Sequence, residues 1–258
     1  MPSPSSVRTW RIILLVVFIL VPVANYLPIL LDIDQDRFTN GTDTRVDAAG
    51  YAFSIWGLIF TGMVVFAALQ FRVKEVTPAL LRAYRFLTLA GLASIAFVPI
   101  SFGDNYLWGA FDLLWHLLAL LGAYAALREQ VREIGRPEYA WSYFAPSVYL
   151  GWVSAATVIS FALALQQVGI TFTGSTEALV ATALVLVLTA LGLYLCLRAD
   201  AVYALTVAWA LAAVATEQRD AALIFWAASA GAGMLILTAL YRGVTRRSFF
   251  YATSPEPK

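Results

Sequence analysis

Long apolar runs alternate with short polar gaps along this chain, and there are eight such runs. With ends set to within a few residues they are Trp10–Leu31, Gly50–Phe71, Tyr84–Phe102, Tyr106–Leu127, Tyr143–Gln166, Glu177–Leu197, Ala201–Thr216 and Ala221–Tyr241. A helix rises about 1.5 Å per residue and a hydrocarbon core is about 30 Å thick, so roughly 20 apolar residues cross it. Seven of the runs meet that length. Ala201–Thr216 falls short, at about 24 Å, which predicts either an upright helix or a shallow hairpin with the last run. The fold class that follows is all-α: a polytopic membrane helix bundle of about eight transmembrane helices.

The polar gaps carry the orientation. One set holds Arg8 and Arg11, then Arg72, Lys74, Arg82 and Arg85, then Arg128, Arg132 and Arg136, then Arg198, and finally Arg242, Arg246, Arg247 and Lys258. The alternate gaps hold only Arg37, Arg45 and Arg219, so fourteen of the seventeen cations share one side. Cytoplasmic loops carry the Lys/Arg excess, so both the N and C termini are expected in the cytoplasm. Asp32, Asp34, Asp36, Asp43 and Asp47 make the first outer loop anionic without bearing much on orientation.

Composition narrows the remaining choices. The chain is 61% apolar, and the longest gap, Asp32–Ala49, is 18 residues, which leaves no room for a soluble domain. A net charge of +1 with no basic stripe excludes a nucleic-acid partner. The single Cys196 allows neither an intrachain disulfide nor a cysteine metal site. The first run has a basic start but a longer apolar core than a secretion signal, and reads as an uncleaved helix. Arg outnumbers Lys fifteen to two in an Ala- and Leu-rich chain, which suggests a GC-rich bacterial genome and hence the inner membrane. The tail from Ser248 to Lys258 reads as disordered.

Ionisable groups inside a bilayer cost a few kcal/mol or more, so each is a functional hypothesis by default. The fourth run holds Asp112 and His116, the chain's one histidine. Their i, i+4 spacing sets them on one helix face, about 9 and about 15 Å below the outer end. The pair could relay protons, orient a general base, or give a metal centre or haem iron an imidazole ligand backed by a carboxylate. It could equally neutralise itself and hold helices together. Ser54, Thr61, Ser94, Ser101, Ser154, Thr157 and Ser160 read mainly as packing groups that bond across helices or back onto their own turn. Pro22, Pro28, Pro99 and Pro146 predict kinks or early helix ends. Trp56, Trp115 and Trp152 fall inside spans, where an indole needs a partner for its N–H or a flat ligand to stack on.

Several stretches resemble one family. The fifth run, Tyr149-Leu150-Gly151-Trp152-Val153-Ser154-Ala155-Ala156-Thr157, is similar to the fifth helix of the TspO/MBR family of tryptophan-rich sensory and translocator proteins, whose pattern is P-Y-x-x-W-V-x-x-A-T-x-x-N. Tyr149, Trp152, Val153, Ala156 and Thr157 match in register, whereas Val148 stands at the proline and Ser160 at the asparagine. Gly50-Tyr51-Ala52-Phe53-Ser54-Ile55-Trp56 resembles the family's G-W-x-F-x-x-x-W, one residue short. The stretch from Ser94 to Gly103 resembles N-x-x-W-S-P-x-F-F-G, with Ser94 for its Asn and Phe97 for its Trp. Asp112 and Trp115 then stand where the family carries Glu and Trp.

The resemblance covers about residues 10–166. It implies a five-helix core over residues 1–170, extended by three additional transmembrane helices and a short tail over residues 171–258. It implies an integral membrane binding or sensory protein for a hydrophobic planar ligand, a tetrapyrrole such as protoporphyrin IX, in an aromatic pocket between helices. By position, Tyr51, Phe53, Trp56, Phe97, Trp115, Tyr149 and Trp152 would line that pocket, with Asp112 and His116 beside them. No cofactor is required, although a bound porphyrin or haem is compatible, and Arg37 or Arg45 could pair with its carboxylates. The competing classes are a secondary transporter using Asp112 and His116, and, more remotely, an intramembrane enzyme. No inverted repeat supports the first, and no nucleophile or metal cluster the second. The last three helices could cap the bundle, form a homodimer contact through Gly231 and Gly233, or add a site near Tyr203 and Trp209.

Overall fold

A computed structural model describes residues 2–31, 44–101, 105–134, 143–198 and 200–246. Arg37, four of the loop acids, Phe102, Gly103 and the C-terminal tail lie outside the described residues. Among those that are described there are eight α-helices: α1 (Pro4–Leu30), α2 (Ile55–Leu69), α3 (Pro78–Ser101), α4 (Tyr106–Ile134), α5 (Phe144–Gln167), α6 (Gly174–Leu197), α7 (Ala201–Glu217) and α8 (Ala222–Arg246). Short 3-10 turns, Gly50–Ser54 and Gln70–Arg72, extend α2 at either end.

Local chemistry explains where the helices begin. Ser3 accepts a hydrogen bond from the Ser6 N–H and is followed by Pro4, whose missing N–H costs nothing in a first turn. Thr77 and Pro78 repeat the device on α3, with the Leu80 N–H on the Thr77 hydroxyl. Asn105 caps α4 through the Trp108 N–H, and Asp200 caps α7 through the Tyr203 N–H at 2.9 Å. Because Thr77 and Pro78 start α3, it begins six residues before the apolar run does, and Arg82 and Arg85 lie on its first turns. Pro22, Pro28 and Pro99 lie inside helices, which run on past each of them. Pro146 instead sits in the first turn of α5, where it neither kinks nor ends the helix.

The packing closes a ring of five: α1 on α2 and α3, α3 on α4, α4 on α5, and α5 back on α2. The remaining helices α6, α7 and α8 pack on one another, and α7 joins them to the ring along α5. Gly151 permits that junction, since a Cβ there would stand 2.8 Å from the Thr206 Cβ and 3.1 Å from the Tyr203 carbonyl. Gly231 is used in the same way inside the chain, against Thr189 and Leu211, so of the two glycines offered for a homodimer contact only Gly233 faces open space.

The basic gaps meet at one end of the bundle. There Arg11 donates to the Val73 carbonyl at 2.6 Å, Arg128 to the Arg198 carbonyl at 2.9 Å and Arg242 to the Leu197 carbonyl at 2.6 Å. At the other end Arg45 pairs with Asp220, and Gln218 donates to the Thr44 carbonyl. Arg198 and Asp200 thus lie at one end and Gln218 and Asp220 at the other, and α7 crosses between them despite its 17 residues. Its shortness has a packing reason: α5, α6 and α8 surround it and bury twelve of its side chains, so protein rather than lipid sets its length.

Candidate functional site

Four of the expected aromatic residues meet where α2 and its leading turn face α5, with Tyr149 and Trp152 buried, Trp56 partly buried and Phe53 49% exposed. Phe53 comes from the 3-10 turn that leads into α2, Trp56 from the start of α2, and Tyr149 and Trp152 from the first half of α5. The Trp152 indole takes Phe53 at 5.7 Å and Trp56 at 6.2 Å between ring centroids, both edge to face. Trp56 also meets Tyr149 at 6.0 Å and stacks on Phe60, one turn along α2, at 5.2 Å. Such pairs prefer offset or edge-on geometry because the ring face is negative and its edge positive. Spacings of three on α5 and of three and four on α2 put these rings on a common helix face.

His116 joins the cluster from α4, and not through Asp112. Its Nε2 is 2.5 Å from the Tyr149 hydroxyl, with both side chains fully buried, and no hydrogen bond joins it to Asp112. The Asp112 Oδ2 is buried without a partner, and so is the Trp152 Nε1. Around them, Asn25 on α1 donates to the Val21 carbonyl at 2.9 Å and the Ser94 carbonyl at 3.4 Å. Thr157 and Ser154 bond back onto the Val153 and Leu150 carbonyls at 2.7 Å, the packing role expected of them.

The other expected residues lie elsewhere. Tyr51 turns to α7 and meets Trp209 edge-on at 5.2 Å. Trp115 is 55% exposed on the outer face of α4, with Trp108 and Phe111. Phe97 is partly buried on α3 opposite Gly109 of α4. Residues not foreseen are Phe18, whose ring meets Tyr149 at 6.5 Å, and Phe60 with Tyr26 against it at 6.0 Å. The spacing of Trp56 and Phe60 is the signal that could have found the latter; Phe18 carries none. A water-sized cavity lies apart, at the basic end, among Phe66, Gln70, Leu127, Gln130 and Tyr143. Among the described residues no three His, Cys, Asp or Glu side chains gather to hold a metal ion.

Residues 11–241 match the protein family described as TSPO-like protein. The chain belongs to the TSPO-like family. The match runs past the 10–166 stretch that carries the motifs and takes in α6, α7 and most of α8. No curated protein and no solved structure matches the chain. With seven helices long and apolar enough to cross a bilayer, this TSPO-like protein is an integral membrane protein in contact with lipid.

Proposed function

We propose that this TSPO-like protein is a membrane binding or sensory protein for a flat hydrophobic ligand, a tetrapyrrole such as protoporphyrin IX, taken between the rings of α2 and α5. The observation that carries this reading is the Trp152 Nε1, a buried donor without an acceptor inside a cluster of four aromatic rings. Leaving a buried polar group unmet costs about 1–3 kcal/mol. A ligand that supplied an acceptor would recover that free energy, and one that also supplied a donor could meet the Asp112 Oδ2. A tetrapyrrole has both, in its carboxylates and its pyrrole N–H groups. It also offers a face on which Trp56 and Trp152 can exchange edge contacts for stacking. Axial ligation of a haem iron fits less well, because the His116 Nε2 is held by Tyr149.

The secondary-transporter reading draws on Asp112 alone, since His116 pairs with Tyr149. Uptake into proteoliposomes driven by a proton gradient and lost in Asp112→Asn would favour it. The test of the binding reading is a protoporphyrin IX titration of the purified protein in detergent, read by tryptophan quenching, alongside Trp152→Phe and Trp56→Phe. Saturable quenching should weaken about 3-fold to 10-fold in each variant, as expected for one aromatic partner lost. Linear quenching indifferent to both substitutions would mean partitioning into the micelle and would refute the reading.

A further inference from the structure

The segment that leads into α2 is held by α7. The Ala49 N–H donates to the Ala213 carbonyl at 3.1 Å, and the Trp209 Nε1 donates to the Ala52 carbonyl at 3.1 Å. Further up, the Gln218 side chain donates to the Thr44 carbonyl at 3.3 Å, and Arg45 reaches Asp220 at 3.3 Å and Glu177 at 4.0 Å. The Tyr51 ring lies edge-on to Trp209, with its hydroxyl 3.4 Å from that of Thr216. Val46, Ala49 and Ala52 are buried as a result. Nothing in the five-helix ring requires this: the contacts all come from the three-helix unit.

The next residue after Ala52 is Phe53, which touches Trp152, and Trp56 lies one turn on. We propose that Trp209 is a positioning residue for the aromatic site, so that α7 takes part in ligand recognition without touching the ligand. The inference rests on the binding role proposed above for that site. Gly50–Ser54 is a 3-10 turn, in which each residue rotates about 120° from the last. Fixing the Ala52 carbonyl against α7 therefore fixes the heading of Phe53 and the starting phase of α2. The Ala52 oxygen also accepts the Ile55 N–H, so the indole completes its second acceptor position. Without the indole N–H, the turn loses the anchor nearest Phe53 and keeps only the Ala49 and Tyr51 ties to α7, so Phe53 leaves Trp152 for part of the time.

The experiment compares wild type with Trp209→Phe, which keeps a ring for Tyr51 and removes the N–H. Trp226→Phe, at a site 68% exposed on α8, is the control for loss of an indole. Protoporphyrin IX binding is read from its Soret absorbance, thermal unfolding from circular dichroism, and amide exchange by mass spectrometry. The expected result for Trp209→Phe is about 5-fold weaker binding, a Tm within about 2 °C of wild type, and faster exchange confined to residues near 50–56. Unchanged affinity would overturn the proposal, and so would a parallel loss of Tm with exchange rising through α5–α8, the signature of a merely structural role. Should wild type itself bind no porphyrin, the binding role fails, and exchange decides this inference. A rise confined to 50–56 upholds the anchoring by Trp209; no change there overturns it.

Discussion

The pairing of His116 with Tyr149 can be tested by a double-mutant cycle. Tyr149→Phe removes one oxygen and leaves the ring in its contacts with Trp56, Phe18 and His116. The His116 Nε2, 2.5 Å from that oxygen and in a residue 1% exposed, is then left without a partner. Stranding a buried polar group costs about 1–3 kcal/mol. His116→Leu removes the hydroxyl's buried partner in turn, leaving Ser94 and Asp112 as the polar groups near Tyr149. The double variant strands neither group, so its cost should fall below the sum of the singles by about 1–2 kcal/mol. Unfolding free energies in mixed micelles resolve that difference. A second cycle, His116→Leu with Asp112→Asn, should show the smaller coupling, since no hydrogen bond joins those side chains. Additivity in the first cycle within about 0.5 kcal/mol, with coupling in the second, would refute the pairing and restore the carboxylate–imidazole dyad.

Two further substitutions probe the junction between ring and three-helix unit. Gly151→Ala drives a methyl into Thr206 and should destabilise by about 1–3 kcal/mol in thermal unfolding, whereas Gly233→Ala, facing open space, should cost nothing; equal effects would count against the α5–α7 approach. Asp200 lies between α6 and α7, where burial pushes its carboxyl up, opposed by the Tyr203 N–H, the Ser147 and Tyr124 hydroxyls and the charge of Arg128. The folded chain then holds a proton that the unfolded chain has lost, so stability should fall as pH rises from about 4 through the folded value. Asp200→Asn should flatten that slope, and a slope surviving in the variant would assign it elsewhere.

Much of this architecture is legible in the chain because lipid imposes a length and a composition on each span. The eight runs became eight helices, and the alternation of basic gaps became two ends of a bundle. What the hydropathy missed was set by polar chemistry: α3 starts at Pro78 because Thr77 caps it, and α4 runs to Ile134 past its apolar stretch. At the site, the α2 and α5 aromatics could be read from their order, since each set occupies a single helix face. Trp115 could not be read that way. It follows the motif order, yet it stands about 100° around the helix from His116, so the two point in different directions. The partner of His116 was also out of reach, because a spacing of four names a neighbour on the same helix and says nothing of Tyr149 across the bundle.

The helix least like a membrane span is the one most enclosed by protein. Hydropathy and length measure how well a segment suits lipid, and α7 meets little lipid. Its alanines and its one tryptophan are shaped by α5, α6, α8 and the segment before α2, each with its own steric demand. Tolerance to substitution should therefore run against apparent membrane character, widest on the outward faces of α6 and α8 and narrowest along Ala201–Ala215. An accounting by span length would rank as expendable the stretch of chain with the fewest acceptable replacements.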